Sequence, residues 1–437
     1  VELIMQKRLS DAESCCVLAR DPLTLATAIA LLIASCSRPS TVTVHQQIDM
    51  ATPWTMHTIV AGASSGQHVG ADGVDIQHGV AAVPWEQGNA TSLTVLATGV
   101  TTTFPISQSG PEDAKLCDLD KDGLDDLVIV ARARMYVVYG GTSTPVSITA
   151  SQGHATWIQA ACGDSTGNGT LDIFAGSYGG SAATPAVIAL LHNPGTRVGT
   201  AWTFEQLTYA GWTMSVIPYD YDGDGDLDLV VTDRAGYKLP GDTVPRTDLT
   251  GSRWIEHVMT APAGWTNHTI FGSPYTGDEM FGRVLAAGEM LEGRSHAGQS
   301  STIATHGTTS ATLYVDTNTG RHYQGADVGD IDQDGLPDIA VSTWESNTCC
   351  SDTVVGVYWL RNNGDGTYTW GNVGGGTGTK YDNMLLYDVD GDGDLDVVDT
   401  EQINQLGLVW FENPLAPVAP DSAPDAAVDA PHECGAP

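Results

Sequence analysis

The stretch from Tyr219 to Asp233, YDYDGDGDLDLVVTD, sets five aspartates on alternate positions and then runs straight into Leu-Val-Val. Alternate residues of an extended segment share a face, and like charges ranked along one face repel unless something neutralises them. Asp220, Asp222 and Asp224 are followed by Gly225 and Asp228, the pattern D-x-D-x-D-G-x-x-D. Hard oxygen donors at every second residue, with a glycine where the chain must turn sharply, are what a Ca²⁺ ion needs. Apolar β-branched residues follow at once, so the loop is expected to open into a strand.

The first half of the loop resembles that of an EF-hand, yet the twelfth position from Asp220 is Val231, where an EF-hand carries a bidentate Glu. The pattern recurs. Asp118, Asp120, Asp122, Gly123 and Asp126 repeat it, as do Asp330, Asp332, Asp334, Gly335 and Asp338, and again Asp388, Asp390, Asp392, Gly393 and Asp396. A fifth copy, Asp164, Thr166, Asn168, Gly169 and Asp172, exchanges two carboxylates for neutral oxygens. The first positions are separated by 46, 56, 110 and 58 residues. Because 110 is twice 55, one unmarked unit lies between 228 and 330, and another fits before 118. Seven units of about 40–60 residues, each with several short strands, predict a β-propeller.

The loops and the strands after them resemble FG-GAP or VCBS repeats, the calcium-loop propeller blades also found in integrin α-subunits. The resemblance covers about residues 53 to 416 and is most specific in KYDNMLLYDVDGDGDLDVVDTEQINQLGLVWFENP, Lys380 to Pro414. It implies an all-β, seven-bladed propeller with about five structural Ca²⁺ sites. Blade 1 departs from the pattern, its acidic loop reduced to QHG at Gln77 to Gly79, and blade 5 has no acidic loop. Neither is expected to hold calcium. Blade 7 ends after Pro414 without a fourth strand, whereas WTMHTI, Trp54 to Ile59, has no blade before it. This N-terminal strand is therefore expected to complete blade 7 and close the ring, removing free edges.

Composition and the chain ends complete the expected organisation. Eighteen basic against 53 acidic side chains give a net charge of −35, with 21 of the acids in the five loops. That field excludes nucleic acid and anionic membrane surfaces as partners. LTLATAIALLIASCS, Leu23 to Ser37, has signal-peptide character, and Ile33-Ala34-Ser35-Cys36 resembles a bacterial lipobox. The alternatives are a lipidated Cys36 and a plain signal peptide with a chance cysteine. The expected layout is a signal peptide with lipobox over 1–36, a tether over 37–52, the propeller over 53–416 and a disordered Pro/Ala/Asp-rich tail over 417–437. Such a chain is exported, monomeric, and touches the membrane only through its lipid. Cys117 and Cys162, just ahead of the loops of adjacent blades, are expected to pack as small buried residues. Cys349 and Cys350 are open to vicinal or intermolecular pairing.

The acidic loops join the first strand of a blade, A, to the second, B. The ends of B and the starts of A therefore share the opposite rim. That rule collects His68, Asp72, Trp85, Glu86, His154 and Trp157 from the first three blades. From the later blades it adds Trp212, Asp233, Arg234, His322, Tyr323, Trp344, Glu345, Asp382, Asn383 and Glu401. Aromatic faces among carboxylates and imidazoles around a funnel suit a carbohydrate. The same tryptophans equally suit the role of blade caps. The candidate ligand contacts are Trp85, Glu86, Trp344, Glu345, Glu401, His68, His154 and His322. No nucleophile elbow, phosphate loop or zinc spacing is present. Three classes follow: a calcium-stabilised surface binding or adhesion propeller for a glycan or protein, a polysaccharide lyase or sugar dehydratase with a rim histidine as base, and a display scaffold.

Overall fold

The run Asp126–Ala131 (DLVIVA) is buried at every position, so it needs apolar cover on both faces. A circle of radially stacked sheets supplies that cover. The computed structural model describes residues 48–107, 110–179, 185–234, 251–259, 264–270, 279–295, 300–318, 321–345, 355–376 and 379–415, and within them seven four-stranded antiparallel sheets.

Strand β1 (Thr55–Val60) stands apart from the first blade, which comprises β2 (Asp75–Gln77), β3 (Val80–Trp85), β4 (Ala90–Val95) and β5 (Val100–Pro105). Blade 2 is β6 (Pro111–Cys117), β7 (Asp126–Ala131), β8 (Arg134–Val138) and β9 (Val146–Ile148). Blade 3 is β10 (Thr156–Gly163), β11 (Asp172–Tyr178), β12 (Val187–His192) and β13 (Thr203–Tyr209). Blade 4 is β14 (Thr213–Tyr219), β15 (Asp228–Asp233), β16 (Arg253–Val258) and β17 (Gly264–Thr269). Blade 5, without an acidic loop, is β18 (Glu279–Ala286), β19 (Glu289–Arg294), β20 (Ser301–His306) and β21 (Ala311–Asp316). Blade 6 is β22 (Arg321–Gly329), β23 (Asp338–Glu345), β24 (Val357–Asn362) and β25 (Tyr368–Gly374). Blade 7 has β26 (Leu385–Tyr387), β27 (Asp396–Glu401) and β28 (Gly407–Glu412), with β1 paired to β28 as its fourth strand.

Burial follows position in the blade. Every residue of β15 and β27 is buried, whereas the outer strand β17 is exposed or half-buried throughout. Successive A strands lie side by side around the centre, and side chains knit them. Asp75 accepts the Leu116 N–H at 2.8 Å, Asp113 the Ala160 N–H at 3.0 Å and Asp327 the Leu386 N–H at 2.9 Å. These bonds satisfy inner backbone donors that have no ladder partner. At the seam, Thr55 faces Glu412 and Thr58 faces Val409. His57 bonds Glu412 at 2.7 Å and stacks on Trp410.

Two expectations need correction. Residues 48–52, assigned to the tether, pack on blade 6: the Asn372 N–H bonds the Met50 carbonyl, and Ile48 is buried against the cluster around Trp359. Gly371 makes room chiefly for the Trp359 indole, onto which a Cβ there would run, and beyond it for the Met50 terminal methyl at 2.8 Å. Cys117 and Cys162 are joined in a disulfide. Cys117 ends β6 and Cys162 is the penultimate residue of β10, and these inner strands of adjacent blades are neighbours. Cys36, the signal peptide, residues 37–47 of the tether, Cys349, Cys350 and the tail over 417–437 lie outside the described residues.

Candidate functional site

The acidic loops begin with an aspartate that caps its own turn. Asp220 accepts the N–H groups of Gly223 and Gly225 at 2.8 and 3.0 Å, and Asp388 those of Gly391 and Gly393. The sixth-position glycine holds a left-handed φ of 95° at Gly225 and 97° at Gly393, a conformation that costs other residues a Cβ clash. Turned in this way, Asp118, Asp120 and Asp122 bring carboxylate oxygens within 4.8 Å of one another. So do Asp220, Asp222 and Asp228; Asp330, Asp332 and Asp338; and Asp388, Asp390 and Asp396. The fifth loop brings only two carboxylates, Asp164 and Asp172, with Thr166 and Asn168 between them. Asp224 and Asp392 accept the N–H two residues ahead.

The ninth-position aspartate has a task of its own. Asp228 is fully buried and takes the Tyr221 N–H on one oxygen at 3.0 Å and the His257 N–H on the other at 2.8 Å. Asp126, Asp338 and Asp396 repeat this link from the loop to the third strand. Asp172 does so through Ser165 and Asn193. Burial pushes Asp338 up to about 7 against the pull of its Asn362 N–H bond. Burial and neighbouring carboxylates push Asp394, at the seventh position of the last loop, up to about 8.

These loops fit a divalent cation. Asp120, Asp330 and Asp332 each hold a buried carboxylate oxygen without a hydrogen-bond donor, and an oxygen-only donor set suits a hard ion. Two loops also meet an arginine: Arg197 contacts Asp120 and Asp122, and Arg361 contacts Asp332 and Asp334.

On the opposite rim the inner strands enclose a cavity of about 460 Å³. Strands β6, β14 and β18 contribute Lys115, Ser215 and Arg283, the end of a B strand contributes Trp344, and Arg132, Arg234 and Gln402 follow such ends. Arg132 is held between Glu86 and Glu112. Lys380 lies 2.9 Å from Asp382 and 3.5 Å from Asp72. Burial pushes Glu112 up to about 8, with the Asp72 charge adding to the effect. Burial also raises Asp382 well above the usual carboxylate range, and Lys380 beside it opposes the shift.

The residues expected at this rim divide. Glu86 and Trp344 line the cavity, as do Asp72, Trp212, Arg234, Asp382 and Asn383. Trp85 is fully buried, its indole N–H on Ser92 and its ring on His68, so it is a core wall with no face for a ligand. Glu401 is fully buried too, accepting the N–H groups of Lys380, Ile403, Asn404 and Leu406. That makes it the organiser of a turn. Asp233 is likewise buried, paired with Arg253 at 2.6 Å. The histidines do not converge: His68 sits on Trp85, His154 on Phe204, and His322 beside Trp344. Glu345 ends β23, and its side chain lies outside the described residues. The sequence reading passed over Lys115, Arg132, Arg283 and Lys380. A base inside an apolar inner strand, as at Lys115 and Arg283, was the signal available.

Ring and loops together define a β-propeller whose blades carry cation-type acidic turns. The model of the FG-GAP-like repeat matches residues 118–175, 166–231 and 330–398, so the seven-bladed propeller is built with FG-GAP-like repeats in three places. No curated protein matches it by sequence. Among solved structures it is similar to a streptogramin B lyase, at 10% identity and a TM-score of 0.52 over 84% of this chain and 99% of that one. It is also similar to the calcium-binding protein regucalcin from Agrobacterium tumefaciens, at 11% identity and a TM-score of 0.38 over 68% of this chain and 88% of the other. The WD40 domain of Toxoplasma gondii coronin is similar at 12% identity and 0.45, over 84% and 89%. At these identities the likeness concerns the fold alone.

Proposed function

We propose that the protein is a calcium-stabilised binding propeller, exported and held at a bacterial membrane or cell surface through Cys36, which takes a glycan in its funnel. The observation that carries this reading is the cavity itself. It is about 460 Å³, the size of a small-ligand site, and it joins Trp212 and Trp344 to a ring of hydrogen-bonding charges on the rim away from the acidic loops. Calcium is supported by the oxygen-only loops and their donorless buried oxygens. In this reading the ions stiffen the blades and leave the funnel free for a ligand.

A glycan array probed with the full chain, with and without EDTA, tests the proposal. Binding is expected to be lost in Trp344→Ala while calcium-dependent melting stays as in the parent. Hits that survive Trp344→Ala, or that come only from protein ligands, would move the site or the ligand class. One observation supports a lyase or dehydratase as the second reading: Asp382, raised well above the usual carboxylate range by burial, neighbours Asp72 and Lys380, so a candidate general acid stands beside a second carboxylate. Product analysis on each array hit separates it from simple binding.

A further inference from the structure

Five of the 18 basic side chains in a chain of net charge −35 line one cavity: Lys115, Arg132, Arg234, Arg283 and Lys380. Taking charge out of water is costly, so bases gathered here need compensation. Arg132 and Lys380 have carboxylates, as described, and Lys115 has Asp113 at 2.9 Å. Arg234 lies over the Trp212 ring at 4.9 Å.

Arg283 is placed differently. Its Nη1 donates to the Gly282 carbonyl at 3.0 Å and its Nη2 to the Asn383 side-chain oxygen at 3.3 Å, both neutral acceptors. Among the described residues its ion pair is to Asp327 at 3.7 Å, beyond hydrogen-bond length. Arg283 is also close enough to Lys115 for the two charges to repel. A guanidinium presents a planar fork that matches a carboxylate in two parallel bonds. Five carboxylates line the same cavity, and burial raises two of them, Glu112 and Asp382, toward the neutral form.

We propose that the funnel selects an anionic ligand, a carboxylate-bearing sugar, whose charge is received by Arg283 with support from Lys115. This rests on the binding reading of the same funnel and adds the charge of what it binds. The anion would complete the surroundings of Arg283, whose carboxylate Asp327 stands off at 3.7 Å, while Lys115, paired to Asp113, adds its charge from the neighbouring strand.

Two experiments on the full, calcium-loaded chain test this. Fluorescence quenching by iodide and by caesium, taken as the difference between the parent and the Trp212→Phe/Trp344→Phe double variant, reads the field at the funnel without any ligand. Iodide is expected to quench the funnel tryptophans about twofold or more better than caesium, against the overall negative charge, and Arg283→Gln should remove the preference. Equal quenching, or a caesium preference, overturns the inference. The second experiment is titration with trigalacturonate and with its methyl ester. The acid should bind about tenfold tighter than the ester, and Arg283→Gln should abolish the difference. Acid and ester binding alike, both lost in Trp344→Ala, overturns the anion inference and leaves the binding reading standing. An iodide preference with no glycan bound anywhere on the array does the reverse: it supports an anion-selective funnel and refutes the glycan.

Discussion

Replacing Asp228 by alanine should cost far more than replacing Asp224, and the difference should survive removal of calcium. Both belong to one acidic loop, and loss of either removes an oxygen from the proposed ion site. Only Asp228 is fully buried with both oxygens on backbone donors, the N–H groups of Tyr221 and His257 at 3.0 and 2.8 Å. Alanine would leave those two donors unpaired, at about 1–3 kcal/mol each, or about 2–6 kcal/mol together. Asp224 accepts one bond from the Asp226 N–H in an exposed turn, which water replaces at a cost below about 1 kcal/mol. Guanidinium unfolding in EDTA, followed by tryptophan fluorescence, reads the two variants without the ion. In saturating Ca²⁺ both should lose a further increment, about 2.7 kcal/mol at a hundredfold excess over Kd. Equal midpoints for the two variants in EDTA would refute the reasoning, because the ninth position would then act only through the ion.

Other outcomes are as definite. The Cys117–Cys162 disulfide spans 45 residues, so the Cys117→Ser/Cys162→Ser double variant should lose about 4 kcal/mol, read as a lower melting temperature that dithiothreitol no longer shifts. Deleting residues through Val60 should speed amide exchange in Gly407–Glu412 by about a hundredfold, whereas deletion through residue 47 should leave it unchanged; equal protection in the two truncations would sink the closure by β1. Glu112 has its folded-state value raised from 4.5 to about 8, so the folded protein carries an extra proton between those values and stability falls as pH rises through that window. Glu112→Gln should therefore gain on the parent as pH goes from 5 to 8, and parallel melting curves would count against the shift.

The blade count was legible because a liganding turn fixes its own spacing: carboxylates at every second residue and a glycine at the sixth position survive as a local string, and the strands follow it. The two blades without the string, at β2 and β18, were found only as gaps in the spacing. The funnel was legible in outline alone. Naming the rim from strand polarity placed Glu86 and Trp344 correctly in the cavity, but it could not tell a ring facing the channel from one facing the next blade. Trp85 and Glu401 fell to that ambiguity, because each ends a B strand where neighbouring blades press from both sides. The bases of the funnel come from four different blades and form no motif, so only assembly of the ring brings them together. Cys117 and Cys162 sit near the loop ends of adjacent inner strands, offset by one position, a proximity that reading each blade separately conceals.

The pairing of β1 with β28 also governs how the protein comes to be folded. His57 and Glu412, which meet across this seam, are 355 positions apart, and closing a loop of that length costs about 5 kcal/mol in chain entropy. Each other blade is a meander of neighbours that can form as it emerges from the ribosome, but blade 7 must wait for the last strand to be made and then recapture the first. Until then β28 offers an unpaired edge to any extended segment nearby, including the β1 of another copy. Ring closure is expected to be the slow final step of folding, and β1 the first strand to peel away under heat or protease.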